Sequence, residues 1–335
     1  MLGIIPERYR PGILRALLIS NMLPDAAHPE RGRFVRDHVA ALREIEGVEV
    51  ELFEFPPGPP ALARAALELR RHFGGTSTFS RRPSSPPLDV VHSHFGLTAW
   101  PALAVAARLR ALTVHGTDLR HPRTRLATAA VLPSIDLLAA VSPSLVSELP
   151  GHRARRRALV LPCGVDLGRF HSIPRPQARA ELGLDPARPY LLFAADPARP
   201  EKRHDLAVEL AQAVGVELLS LGGVDPDRVP LWVNAANAVL VPSEREGFGL
   251  AVLEALACEV PVLATPVGVH PQALEGVPGT LCAPFALPSW RSALEPHLQA
   301  GDPRVGGRPS AERFSARTMA ERARDAWLAA LERSG

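Results

Sequence analysis

The sequence is short of three things, cysteine, lysine and long apolar runs, and the first and the last each exclude a class of protein. Its three cysteines, Cys163, Cys258 and Cys282, lie far apart and form no CxxC or Cys/His spacing. That argues against a structural zinc and against the disulfide framework of a secreted domain, and it fits a reducing, cytoplasmic setting. No stretch approaches the roughly 18 uncharged apolar residues of a membrane span. The first twelve residues hold a short apolar patch with Glu7, Arg8 and Arg10 close behind, so no signal peptide is expected. The one GxG beside a helix, Gly247-Phe248-Gly249, lacks a third glycine and falls late in its domain, which sets aside a dinucleotide-binding dehydrogenase. Of 38 basic residues, 37 are arginine and one, Lys202, is lysine.

The formal charge is only +3, with a pI near 9.1, so nothing calls for nucleic acid as a partner. The densest basic cluster, Arg153, Arg155, Arg156 and Arg157, reads as a solvated turn. It also leaves open a weak peripheral contact at the inner face of a membrane. A hydrophobic share of 46% with 22% charged residues is that of an ordinary globular protein. At 335 residues the chain exceeds the size at which one core keeps growing, which points to two domains of about 150 residues each.

Short apolar runs alternate with helical patterns along the whole chain. Ile13–Ser20, Val48–Phe55, Asp89–His92, Leu112–His115, Leu137–Val141 and Ala158–Leu161 read as strands. Phe34–Ile45, Ala61–Phe73 and Ala99–Leu109 read as amphipathic helices between them. Near-continuous Val, Leu, Ile and Ala content marks strands buried on both faces, and strand–helix alternation implies a parallel sheet. Ile173–Pro176 interrupts the rhythm, which restarts with strands near Tyr190–Ala194, Glu217–Ser220, Ala238–Val241 and Val260–Ala264. Gly74–Pro87, rich in Ser, Thr, Pro and Gly, reads as a mobile loop. Ala311–Leu331 closes the chain as a long helix. The expected organisation is therefore an α/β chain with an N-terminal domain over 1–170, a C-terminal domain over 171–310 and a final helix over 311–335 that packs back towards the first domain.

The segment with most chemistry runs from Val239 to Cys258: a buried strand, a loop with two glycines, then a helix. Glycines at a strand-to-helix turn let a ligand approach the main chain, and the unpaired N–H groups of the first helical turn favour a phosphate. Glu254 falls early in that helix among apolar residues, where a carboxylate wants a ligand or partner and could accept hydrogen bonds from the two hydroxyls of a ribose. Glu246 lies in the loop. Glutamates near a helix start also suit the helix dipole with no ligand at all. The first connection of the same domain, Asp196 to Arg203, carries Arg199 and Lys202, a clamp for a departing diphosphate or a solvated helix start. In the first domain His115 stands at the carboxyl end of a strand, where ligands of doubly wound sheets gather. His92 and His94 flank the preceding strand end.

These residues resemble the family-4 glycosyltransferases. The most specific element is a Glu-x7-Glu motif, here Glu246 to Glu254, with Pro242-Ser243 before it and Pro261-Val262 after it. The resemblance implies a GT-B fold: two Rossmann-like, doubly wound parallel-sheet domains facing a central cleft, the first on the acceptor side and the second binding a nucleotide sugar. It implies that Glu254 holds the donor ribose, that Glu246 contacts the transferred sugar, and that Gly247, Phe248, Gly249 and Leu250 line the donor pocket. It makes Lys202 the residue that stabilises the leaving diphosphate. Arg199 matches the family arginine by type but not by spacing. His115 resembles the histidine that lies against the donor sugar, and Gly32, within Arg31-Gly32-Arg33-Phe34, a glycine-containing loop near the phosphate or acceptor. Pro162-Cys163-Gly164-Val165-Asp166 resembles a Pro-Asn-Gly-Val-Asp turn with cysteine replacing asparagine. The expected activity is retaining transfer of a hexose-type sugar from a UDP- or GDP-sugar to a carbohydrate, lipid-linked or small-molecule acceptor. No DxD-like acidic cluster falls in a convincing place, and neither metal nor cofactor is expected. A GT-B epimerase or phosphorylase, and a family member that binds without transferring, are the alternatives.

Overall fold

A computed structural model of the chain describes residues 12–26, 28–74 and 88–334. The loop read over Gly74–Pro87 and the apolar patch of the first twelve residues lie almost entirely outside the described residues. The chain divides into two compact units: one made of the described residues of Met1–Pro24, Phe34–Pro162 and Met319–Gly335, the other of Asp25–Arg33 and Cys163–Thr318.

The first unit is built on six parallel strands, β1 (Leu14–Ser20), β2 (Val48–Glu54), β3 (Leu88–His94), β4 (Ala107–Val114), β5 (Leu137–Ala140) and β6 (Leu159–Val160), in the order β2-β1-β3-β4-β5-β6. All seven residues of β1 are buried, Arg15 and Ser20 among its apolar ones, as in a strand covered on two faces. Helix α1 (Arg33–Arg43) buries Val35, Val39 and Leu42. Helix α2 (Pro59–Phe73) sets Ala61, Ala65 and Leu69, spaced four apart, against Leu17, Ile19 and Val91 of the sheet.

Five parallel strands form the second sheet: β7 (Tyr190–Phe193), β8 (Glu217–Ser220), β9 (Ala238–Val241), β10 (Val262–Ala264) and β11 (Leu281–Cys282), in the order β11-β10-β9-β7-β8. Helix α3 (His204–Val214) and helix α5 (Leu287–Gln299) cover one face with Leu210, Trp290 and Leu294, while helix α4 (Leu250–Ala257) follows β9. Trp290 is fully buried and still satisfies its indole N–H, which donates to the Pro284 carbonyl at 3.2 Å. Helix α6 (Ala316–Ser334) ends the described chain, and the Trp327 indole on it is buried in the first unit, where it donates to His92 Nδ1 at 3.2 Å.

Two readings of the sequence need correction. The helix expected over Ala99–Leu109 is a single turn, Ala99–Ala102, and β4 already begins at Ala107. Arg108 and Arg110 alternate there with buried Leu109 and Ala111, the period of a strand. The arginine cluster is not simply solvated either: it forms the short helix His152–Arg157, from which Arg157 donates to the carbonyls of Leu132 (2.6 Å) and Ile135 (2.7 Å). No described helix is long and apolar enough to cross a membrane.

In both sheets the strand order reverses beside the first strand of the unit, between β1 and β3 and between β7 and β9. Loops leaving the carboxyl ends of those pairs part in opposite directions and leave a crevice, the usual ligand position in open α/β sheets. Both loops of the β7/β9 pair carry residues singled out from the sequence.

Candidate active site

In the second unit the connection after β7 ends in a turn of 3-10 helix, Pro200–Lys202, and the connection after β9 runs from Pro242 to Gly249. A main-chain bond from Glu244 N to Glu201 O (2.9 Å) ties the two together. The sole lysine crosses between them: Lys202 Nζ donates to both carboxylate oxygens of Glu246, at 2.6 and 2.7 Å, and Ser243 Oγ donates to Oε1 at 2.7 Å. Glu246 is only 8% exposed. Burial alone would lift its pKa, but the Lys202 charge and the hydrogen bonds to Lys202 and Ser243 outweigh burial and hold the carboxyl below its ordinary value. The sequence predicted Lys202 and Glu246 separately. The structure makes them one ion pair.

Beneath this loop lies the turn after β10, and here sequence reasoning found nothing. Gly268 (φ 59°) sits so close that a Cβ there would collide with the Phe248 carbonyl and come within 2.9 Å of Glu246 Cβ. Val269 N donates to Phe248 O at 2.7 Å. His270 is fully buried, and its Nδ1 lies 2.8 Å from the Thr265 carbonyl, which can only accept, so Nδ1 carries the proton. Its Nε2 is buried without a hydrogen-bond partner.

Gly249 (φ 104°) precedes α4, whose first turn has neither a side-chain cap nor an acidic residue. Its first N–H groups are thus available to an anion. Gly247 and Leu250 are half-buried beside this start, whereas the Phe248 ring turns inward, 6.1 Å from the ring of Phe314. Phe248 therefore anchors the loop with its ring, and its carbonyl is already taken by Val269. Glu254, in the second turn, is half-buried between the buried Leu253 and Ala255. Arg199 does not join Lys202 in a clamp: its guanidinium turns to Glu201 at 2.7 and 3.0 Å, and its side chain is 53% exposed. Gly32 takes φ 70° in the Asp25–Arg33 segment, in which Arg31 pairs with Asp25 at 2.7 Å.

In the first unit His115 follows β4, between the rings of Phe34 (5.0 Å) and Phe95 (4.6 Å). His94 Nδ1 lies 3.0 Å from His115 Nε2. Burial pushes the His115 pKa down to about 3, so the ring is neutral at pH 7. Asp118 lies three residues on from His115. Its buried carboxylate accepts the backbone N–H groups of Gly96 (3.3 Å), His115 (3.1 Å) and Gly116 (2.7 Å), fixing the loop that carries His115. Among the described residues no three of His, Cys, Asp or Glu are grouped as a metal centre requires.

Two doubly wound parallel-sheet units with polar loops at a switch point define the GT-B class of fold. The solved catalytic domain of starch synthase IV from Arabidopsis thaliana, bound to ADP and acarbose, shares it: TM-score 0.68 at 13% identity, over 96% of this chain and 100% of the other. Residues 29–169 match the family model Glycosyltransferase Family 4 and residues 188–299 the model Glycosyl transferases group 1. The D-inositol 3-phosphate glycosyltransferase of Actinosynnema mirum is 32% identical over 62% of this chain and 63% of its own length, so the chain spans somewhat less than two thirds of that relative. The enzyme of the same name from Frankia alni is 30% identical over 62% of this chain and 68% of its own length. The chain belongs to the family-4 glycosyltransferases.

Proposed function

We propose that the chain is a retaining glycosyltransferase that moves a hexose-type sugar from a UDP- or GDP-sugar to a carbohydrate, lipid-linked or small-molecule acceptor. The observation that carries this reading is the buried Lys202–Glu246 pair beside the uncapped start of α4. A cation, free main-chain N–H groups and a carboxylate converge on one loop, as a diphosphate joined to a sugar requires. Lys202 and the α4 N-terminus stabilise the charge that grows on the leaving diphosphate. Glu254 takes the ribose hydroxyls, and Glu246 a hydroxyl of the transferred sugar. His115, neutral, contacts a sugar hydroxyl rather than acting as a base. The relatives' name, D-inositol 3-phosphate glycosyltransferase, favours a phosphorylated cyclitol or similar small polyol among the acceptors.

Because electrostatic stabilisation comes from Lys202 and main-chain dipoles, turnover is expected without a metal. Removing one such donor is typically worth ~3 to 4 kcal/mol, so Lys202→Ala is expected to lose about 100- to 1000-fold in kcat. Thermal-shift titration of the parent with UDP, GDP, ADP and their sugars is expected to show stabilisation by one nucleotide series, and Glu254→Ala to lose it. Equal stabilisation of both proteins would remove Glu254 from the ribose site. Activity abolished by EDTA and restored by magnesium or manganese would overturn the metal-free scheme, and conversion of a donor without any acceptor would replace transfer by epimerisation.

A further inference from the structure

His270 has no part in the donor scheme so far, yet it is the fully buried side chain with a ring nitrogen unpartnered beneath the donor loop. A Cβ built on Gly249 would lie 2.5 Å from His270 Nε2 and 3.6 Å from Glu246 Cγ, so imidazole and glutamate flank the same glycine. The Nδ1–H is fixed on the Thr265 carbonyl, which leaves Nε2 as a lone pair facing Gly249, the residue before the first turn of α4. An unpaired buried acceptor costs about 1 to 3 kcal/mol unless another state of the site uses it.

A use follows from the charges. With no donor bound, Lys202 and Glu246 neutralise each other. An ammonium has three N–H donors, and two are spent on Glu246. A bound diphosphate competes for that cation. When Lys202 turns to it, Glu246 keeps the Ser243 hydroxyl but loses the Lys202 charge while still buried, which is costly. We propose that His270 then takes a proton from solvent on Nε2 and replaces Lys202 as the positive partner of Glu246, so that donor binding is coupled to proton uptake. The proposal rests on the donor-site reading above. The charged groups facing the ring are Glu246, which favours the imidazolium, and Lys202, which opposes it; burial keeps the ring neutral at rest. Moving Lys202 away from His270 and adding phosphate charge act in the same direction. His270 is a positioning residue in this scheme, acting through Glu246.

Isothermal titration with UDP-glucose, UDP-N-acetylglucosamine, GDP-mannose and ADP-glucose, each in two buffers of different ionisation enthalpy between pH 6 and 8, tests it. Their diphosphate diesters do not titrate in that range, so proton uptake belongs to the protein. The parent is expected to take up a fraction of a proton per chain, rising as pH falls from 8 to 6, with affinity rising in step. His270→Gln, whose amide can still donate to Thr265, is expected to bind with uptake lost, and Glu246→Gln to lose uptake although His270 remains. Uptake that persists in His270→Gln, or parent binding with no buffer-dependent heat, overturns the role of His270 and spares the donor site. Failure of every nucleotide sugar to bind the parent overturns the donor site and this proposal together. Should His270→Gln not fold, ring 15N spectra of the parent decide: no new imidazolium signal at saturation and pH 7 overturns the proposal.

Discussion

Lys202 and Glu246 test how much of this site is held by charge. Their side chains are 12% and 7% exposed, so removing one partner strands a buried charge, a change that costs about 3 to 5 kcal/mol in such pairs. Lys202→Met is expected to lose that much in urea denaturation, and the double variant with Glu246→Gln to recover more than 1 kcal/mol of it. Losses that simply add within about 0.5 kcal/mol would mean that the two are not coupled. Arg199–Glu201 is the internal control, because an arginine 53% exposed shares its charge with water, and Arg199→Ala should stay within about 0.5 kcal/mol of the parent. At this scale residue type and spacing singled out Glu246, Glu254 and Lys202, and the structure brings Lys202 and Glu246 together. The sequence was silent on His270. A lone histidine has no signature until folding brings the turn after β10 under the loop after β9.

At the scale of elements, the buried parallel strands were legible because a strand covered on both faces is nearly all apolar, as β5 and β9 are throughout and β1 is but for Arg15 and Ser20. The two-residue strands β6 and β11 carry too short a pattern to announce their length, and the start of β4 was misread because its apolar residues also suit a helix face. Glycines were legible as turn residues, but not the reason each is needed. Gly183 caps the helix Arg175–Leu182 at φ 68° with nothing within 4 Å of a Cβ, so Gly183→Ala meets only left-handed strain, about 1 kcal/mol. Gly249 holds φ 104° with a Cβ position 2.5 Å from His270 Nε2, so Gly249→Ala adds a steric collision to the strain, about 2 to 5 kcal/mol in all. Denaturation midpoints of the two variants should separate accordingly. Similar losses would mean that the turn beneath the donor loop yields readily, and would weaken the view of it as a rigid floor.

Across the whole molecule the titratable groups are unevenly shared, and acid should find the first unit before the second. His92 and His94 are 1% and 5% exposed on the inner end of β3. Burial depresses the pKa of His92 from 6.5 to about 3 and that of His94 well below 6.5. Trp327 N–H donates to His92 Nδ1, so protonating that ring also costs the bond that holds α6. A histidine with a depressed folded-state pKa adds stability that is fully present above its unfolded value and is lost as pH falls, at about 1.4 kcal/mol per pH unit between the two values. Asp118 has the opposite sign. Burial raises its pKa to about 6, so its contribution is lost as pH rises through 6 and returns in acid, offsetting one histidine but not two. Half-buried His38 and His115, also depressed, add to the acid loss. In the second unit, His270 is the one fully buried histidine, and His297 is less enclosed. Lowering the pH from 7.5 to 5 should therefore open β3, β4 and α6 at a lower urea concentration than β7 and β9, read by peptide-resolved hydrogen exchange corrected for intrinsic rates. Parallel loss in the two units would place the acid sensitivity elsewhere than in the buried histidines.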